Sequence, residues 1–501
     1  MVNILISGYY GFDNIGDESI LRTLVSSLRE HIPDCSLTVL SHNPASTREK
    51  YGVEAVDRMS PMAILRAVKK CDMLISGGGS LLQDVTSSKS LHYYLSIIRC
   101  AEFFHKKVFI YSQGIGPIDR PGNRRAAAAA LKRADGIVVR DERSASLLEE
   151  IGIARDKVVI TADPVIRMKK PDGDVGAEIL RKAGVSLDGR LTVGWAIRER
   201  DTDSRFVKEL LRSIQMMKDK YNAQSVLIPF HYEEDGEVCR HIAAQLPDDT
   251  AVCLNEKYLS EDMLSIIGNM DLLVGVRLHS LIYAAIMGVP LIGISYDPKC
   301  TAFLNSVGLD KLSTKENFTA ELFMPEAERV LETGKEQVQC VEAHMAKLSR
   351  KLDTNEKMIC AIMEKSRKHT MQDPQNNTEK KDKSGVRTAG AISFVFLLTL
   401  FAKLLGVVRE MMQANIFGTG IDADLYTASY NSTLYLFTTM CYALCIAAVP
   451  ILTKEFAADR KRGEKAANNL MTITLLGSLA AVVLWLSLIH ISEPTRHAQI
   501  S

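Results

Sequence analysis

Val2-Asn3-Ile4-Leu5-Ile6-Ser7-Gly8-Tyr9-Tyr10-Gly11-Phe12-Asp13-Asn14-Ile15-Gly16-Asp17-Glu18 begins as an aliphatic run, breaks at glycines, and resumes as a helix-compatible stretch. The pattern predicts a first strand that passes through a glycine turn into a helix. It lacks the basic start and long apolar core of a secretory leader, so the expectation is that this part of the chain stays in the cytoplasm. Short runs of the same kind recur at Ser36–Leu40, Asp72–Ile75, Val108–Tyr111, Gly136–Val139 and Val158–Thr161, separated by segments of helical period. Parallel strands covered on both faces read this way, so the expectation over 1–170 is one α/β, Rossmann-like lobe.

A polar connector, Met168 to Gly176, precedes a second series at Leu191–Ala196, Ser225–Pro229, Thr250–Cys253, Asp271–Val276 and Pro290–Ser295. A second Rossmann-like lobe is expected over 177–368, closed by one or two helices whose apolar face includes Val338, Val341, Met345, Leu348 and Leu352. From 369 to 387 the chain is basic and poor in apolar residues, the composition of a disordered linker. Three apolar runs follow within 388–490, roughly Thr388–Val408, Ser429–Leu452 and Leu470–Ile489. Each is long enough to cross a hydrocarbon core of ~30 Å, so about three transmembrane helices are expected. Lysines and arginines before the first run (Lys380, Lys381, Lys383, Arg387) and after the second (Lys454, Arg460, Lys461, Arg462, Lys465) predict a cell-membrane protein with its catalytic part in the cytoplasm.

The 501 residues carry a net charge of +1, without the basic footprint that nucleic-acid binding needs. Ten cysteines contain no CxxC pair, which points to reduced thiols and away from a structural metal.

The candidate site residues cluster where strands end. Asp13, Asn14 and Asp17 in the first glycine turn suit sugar hydroxyls, with helix capping as the alternative for Asp17. Gly78 and Gly79 in Ser76-Gly77-Gly78-Gly79-Ser80 either form a tight strand-to-helix turn or admit a substrate closely; Asp84 and Gln113 lie on the same edge. Arg140 leaves an apolar strand, as an arginine that binds a carboxylate or phosphate would. In Val274-Gly275-Val276-Arg277-Leu278-His279-Ser280 a strand delivers a fixed cation and a titratable imidazole, and the next strand ends at Tyr296-Asp297-Pro298-Lys299. Adjacent parallel strands put Arg277, His279 and Lys299 within reach of one ligand.

These segments, in this order, resemble the CsaB-type polysaccharide pyruvyl transferases from Val2 to about Lys365. The resemblance implies a glycosyltransferase-B-like pair of lobes, the first on the acceptor side and the second on the donor side. It implies phosphoenolpyruvate as co-substrate without a further cofactor, and a lipid-linked cell-wall saccharide containing N-acetylmannosamine as acceptor. Arg140, His279 and Lys299 would serve the donor with Arg277 beside them, His279 as general acid. Asp13, Asn14, Asp17, Gly78, Gly79, Asp84 and Gln113 make up the acceptor set. A nucleotide-sugar glycosyltransferase shares this plan, and a lipid-linked-sugar flippase or scaffold is the alternative of another class. Phe401-Ala402-Lys403-Leu404-Leu405-Gly406-Val407-Val408-Arg409-Glu410 and the segment through Asp424 are similar to the start of MurJ/MviN-type lipid II flippases. Lys403, Arg409 and Asp424 would there face a central cavity, unless Lys403 snorkels to the interface. Residues 491–501 look like translated sequencing-adaptor read-through.

Overall fold

The computed structural model describes residues 2–85 and 87–371, together with 452, 462–464, 466–470, 472 and 474. The chain divides into two units, Met1–Pro374 and Gln375–Ser501, and both sheets lie in the first. The sheet of the first lobe contains β1 (Val2–Tyr10), β2 (Cys35–Ser41), β3 (Glu54–Asp57), β4 (Met73–Ser76), β5 (Gly79–Leu82), β6 (Lys107–Ile115), β7 (Gly136–Val139) and β8 (Val158–Ile160). Its order is β3-β2-β1-β4-β6-β7-β8, with β5 paired to β6. The second lobe contains β9 (Thr192–Ala196), β10 (Gln224–Leu227), β11 (Ala251–Cys253), β12 (Leu272–Gly275), β13 (Leu291–Ser295) and β14 (Ser313–Thr314), ordered β11-β10-β9-β12-β13-β14. Every pairing is parallel.

Two-residue alternation sorts each sheet's side chains into two cores. Leu5, Leu74, Val108 and Ile137 face one layer of helices, whereas Ile4, Ile6, Ile75 and Phe109 face the other. In the second lobe Val226 and Leu273 oppose Trp195, Leu227 and Val274 in the same way. Both sheets reverse direction beside their first strand, between β1 and β4 and between β9 and β12. The crevice at such a switch point, outside the carboxyl ends of the strands, is where open α/β sheets bind ligands.

The lobes share a core. Ile15 and Ile20 of the Ile15–His31 helix, with Val165 and Ile166, pack among Leu278, Leu281, Ile282 and Tyr283. Ser19 and Tyr283 hydrogen-bond through their hydroxyls, and Arg22 reaches Glu261 at 2.7 Å.

A single helix, Ala320–Met371, stands where one or two closing helices were expected and runs three residues into the stretch read as linker. It belongs to both lobes. Val341, Met345 and Leu352 enter the core shared with the second lobe, and Ile359 and Met363 join the first lobe's core with Phe109, Tyr111 and Val138 of β6 and β7. Glu356 accepts from Ser27 Oγ (2.6 Å) and Tyr111 Oη (3.0 Å), while Asn355 Nδ2 donates to Ser112 Oγ (2.9 Å).

Among the described residues no helix is long and apolar enough to cross a membrane. The expected spans, the linker beyond Met371, Lys403, Arg409, Asp424 and the 491–501 tail lie outside the described residues, apart from a few positions of the second and third apolar runs and of the loop between them.

Candidate active site

Each site residue is presented by a strand end or the first turn of the helix after it. In the first lobe β7 delivers Arg140, whose Nη1 donates to Asp163 Oδ2 (2.9 Å) and Nη2 to Ser80 Oγ (3.0 Å), with Nε 3.5 Å from Asp141. Arg140 and Asp163 are each 6% exposed at the side chain. Burial opposes the guanidinium's charge, but Asp163 and then Asp141 more than offset it, so its pKa is raised. Gly114 provides the space: a Cβ there would stand 2.6 Å from Nη2.

In the second lobe Arg277 precedes the Leu278–Met287 helix and pairs with Asp235, whose side chain is 2% exposed, and with Glu234 at 3.6 Å. One residue into that helix the imidazole of His279 lies against Gly16 of the first lobe, where a Cβ would come within 2.0 Å of Nδ1. His279 Nε2 is shielded and has no hydrogen-bond partner among the described residues; Asp163 Oδ2 is 3.9 Å away. Burial pushes the His279 pKa down to about 4. Asp163 resists the shift, while Arg140, Lys299 and Arg277 reinforce it. Lys299, in the first turn of the Pro298–Ser306 helix, is 26% exposed, with a loose ion pair to Asp297 at 3.7 Å and its ammonium 5.7 Å from the centroid of the Tyr296 ring. Arg198, just past β9, stacks over the Tyr296 ring at 4.4 Å.

The expected donor group therefore forms one cluster across the lobes, since Arg140, Lys299 and Arg277 all act on His279. Arg277 acts least of the three on His279, and its guanidinium is paired with Asp235.

The acceptor set divides. Asn14 is the helix cap: its Oδ1 accepts from the N–H of Gly16 (3.1 Å) and of Asp17 (3.4 Å). Asp84 is spent on a turn, accepting from Asp119 N, Arg120 N and Asn123 Nδ2 at 2.8–3.1 Å. Gln113 Nε2 ties Ser76 Oγ (2.9 Å) to Gly77 O (2.6 Å). Gly78 lets Ile20 close on the loop, and Gly79, at φ +91°, opens β5 where a strand-to-helix turn was one expectation. Asp13 pairs with Lys50 (3.0 Å) and Lys257 (3.6 Å) beside a cavity of about 280 Å³ between the lobes, lined also by Glu18, Tyr232 and Tyr258. Asp17 alone keeps a carboxylate unused by the described side chains, and capping is not its role.

Sequence reasoning missed Asp163, Asp235, Ser80 and Arg198. Thr161-Ala162-Asp163-Pro164 does follow β8 on the productive edge, which is the signal that was there to use. It also missed a stack of three rings, Tyr9 on Phe12 (4.2 Å between centroids) and Phe12 on His42 (4.4 Å), backed by Arg58 at 5.1 Å from Phe12. Tyr9 feels both Asp17 and Glu234, which sets the stack at the cleft. Among the described residues no group of three His, Cys, Asp or Glu is placed to hold a metal ion.

Residues 14–298 match the family model "Polysaccharide pyruvyl transferase", more than half of the chain. Amylovoran biosynthesis protein AmsJ of Erwinia amylovora is 21% identical over 370 residues, covering 62% of this chain and 88% of AmsJ. Among solved structures, Anabaena Alr3699/HepE in complex with UDP-glucose superposes with a TM-score of 0.51 at 12% identity, over 73% of this chain and all of HepE. A glycosyltransferase from Rickettsia africae ESF-5 gives 0.51 at 12% identity, over 72% of this chain and 98% of its own. At that identity the structural likeness establishes the two-lobed, glycosyltransferase-B-like fold alone.

Proposed function

Because this chain belongs to the polysaccharide pyruvyl transferase family, and is thus a transferase that acts on a saccharide, we propose that its donor is phosphoenolpyruvate. The enolpyruvyl carbons pass to two hydroxyls of a cell-envelope saccharide, a ketal closes and phosphate leaves. The observation that supports this reading is the gathering of Arg140 from one lobe with Lys299 and His279 from the other, close enough for both cations to act on the imidazole. A small donor bearing a carboxylate and a phosphate needs fixed cations. Lys299, the least engaged, suits the phosphate as a point charge, with Arg277 nearby; the planar fork of Arg140 suits the carboxylate.

Protonation at C3 makes C2 electrophilic, and the cations stabilise the charge that develops as phosphate departs. An imidazole with its pKa near 4 holds no proton at neutral pH, so His279 opens the reaction as the base for an acceptor hydroxyl. This reverses the general-acid role expected from the sequence, and burial is the physical reason. The Tyr9–Phe12–His42 stack offers flat apolar area to the C–H face of a sugar ring, for which N-acetylmannosamine in a lipid-linked saccharide is the proposed identity. Such an acceptor places the work at the cytoplasmic face of the cell membrane. The apolar runs after residue 388 and their flanking lysines and arginines favour that location, with a flippase-like anchor.

Incubating the full chain with phosphoenolpyruvate and a lipid-linked saccharide containing N-acetylmannosamine tests the proposal. Phosphate release matched by mass gained on the acceptor is expected. Sugar transfer from a UDP-sugar with phosphoenolpyruvate untouched would make it a nucleotide-sugar glycosyltransferase instead.

A further inference from the structure

Ketal formation moves two protons off the acceptor, and one imidazole handles only one of them at a time. The structure holds a second candidate that its surroundings do not otherwise employ. Asp17 stands in the first turn of the Ile15–His31 helix, yet Asn14 already caps that helix. Its neighbour Glu18 is occupied, accepting from Gly11 N (2.8 Å) and from Tyr51 Oη. The carboxylate of Asp17 extends over Gly79, where a Cβ would come within 2.9 Å of Oδ1, so this glycine keeps its place clear.

Gly16, the residue before Asp17, is the surface against which His279 packs. The two groups thus flank one peptide of the first lobe. Facing Asp17 are Lys299 from the second lobe and Arg140, Asp163 and Glu18 from the first, along with Tyr9, Tyr10 and Tyr94, whose ionisation it opposes. Three of these, Lys299, Arg140 and Asp163, also face His279.

Resting on the pyruvyl-transfer reading, we infer that Asp17 is the acid that protonates C3 of the donor, working opposite His279 as base. The protons balance. Asp17 gives its proton to C3 as a new C–H bond forms, and the first acceptor oxygen bonds to C2 while His279 takes that hydroxyl's proton. The C2–O bond to phosphate then breaks, its electron pair leaving with phosphate, which collects the proton from His279. The second hydroxyl closes the ketal and returns a proton to Asp17. Nothing is oxidised or reduced, and both groups end as they began. Burial raises the Asp17 pKa to about 7, with Glu18 and Asp163 adding to the shift against Lys299 and Arg140, so the carboxyl holds a proton where the imidazole does not. Environments that drive two groups apart in this way are how acid and base are assigned in one site.

The test is Asp17→Asn in the full chain, assayed by phosphate release and ketal mass. A loss in kcat of at least ~100-fold is expected, with donor KM within about threefold of wild type. The wild-type kcat/KM should fall with alkaline pH through about 7, because the protonated carboxyl is lost, and the residual activity of Asp17→Asn should lack that limb. Asp17→Glu should recover part of the rate and keep the limb. Asp17→Asn within threefold of wild type, or with its alkaline limb intact, overturns the inference while leaving the pyruvyl-transfer reading standing. Absence of phosphate release by wild type with donor and saccharide overturns both.

Discussion

The two lobes repeat one strand order, with two strands running out one way from the first and the rest the other way, but they load their crevices differently. The first lobe places carboxylates and glycines at its strand ends: Asp17, Asp163, Gly16, Gly79 and Gly114. Its cation nearest His279, Arg140, is tied on three sides. The second lobe presents Arg277, His279, Lys299 and Arg198, of which Lys299 is barely held. The scaffold is thus neutral about chemistry. What distinguishes the lobes is which side chains stop short of solvent and whether a partner already satisfies them.

That contrast breaks most readily at Arg140. Arg140→Ala would leave Asp163 a buried carboxylate without its main partner, and removal of one half of a buried pair typically costs about 3 kcal/mol or more. Denaturant unfolding should show a loss of that order. An unchanged midpoint would mean that Arg140 is as free as Lys299 and that the asymmetry is false. Next in size is His279→Ala, expected to lower kcat at least ~100-fold because the hydroxyl base is gone, with little change in stability. A near-normal rate would remove the imidazole from the chemistry. Lys299→Ala should be milder, raising donor KM by roughly tenfold while the melting temperature holds, because one exposed charge-assisted contact is worth about 1.5 kcal/mol. If it unfolds the protein instead, the lysine is structural and the comparison fails from the other side.

How far these features could be read in advance depends on their physics. Strands such as Asp72–Ile75 and Pro290–Ser295 were legible because a doubly covered strand must be apolar throughout. β3 was not, being a half-exposed stretch bounded by Glu54 and Asp57, and β5 was not because it starts on a glycine at positive φ. Arg277, His279 and Lys299 were legible as neighbours because β12 and β13 had to be adjacent. Asp163 escaped because its meaning lies in reaching Arg140 from the next strand, a contact that no local pattern records. The local partners of Asn14, Asp84 and Gln113 were hidden for a different reason: a side chain that binds neighbouring protein groups and one that binds sugar hydroxyls are the same residue types, and only the contacts distinguish them. The docking of the far end of the Ala320–Met371 helix on the first lobe was unreadable in sequence because Glu356 and Asn355 look like surface residues until Ser27, Tyr111 and Ser112 are seen beneath them.

The smallest predicted effect sharpens the comparison furthest, because it asks whether the lobes' two proton carriers oppose each other in stability as well as in charge. His279 binds its proton less readily folded (about 4) than unfolded (ordinarily 6.5), so the unfolded state holds more protons between those values and stability drops as pH falls through them. Asp17 is the reverse: its carboxyl is ordinarily half-protonated at 3.8 and here at about 7, so the native state holds the extra proton and stability drops as pH rises from about 4 to 7. Neither group is a main cause of the other's shift, which lets the two slopes add nearly independently and largely cancel in the window from about 4 to 6.5. Melting curves across that window, each read as a difference from wild type, should therefore tilt in opposite directions. Asp17→Asn should gain stability relative to wild type towards neutral pH, and His279→Gln should gain it towards acid. Parallel tilts, or none, would mean that the first lobe's carboxyl and the second lobe's imidazole are not buried in opposite senses, and the assignment of acid to one lobe and base to the other would lose its physical ground.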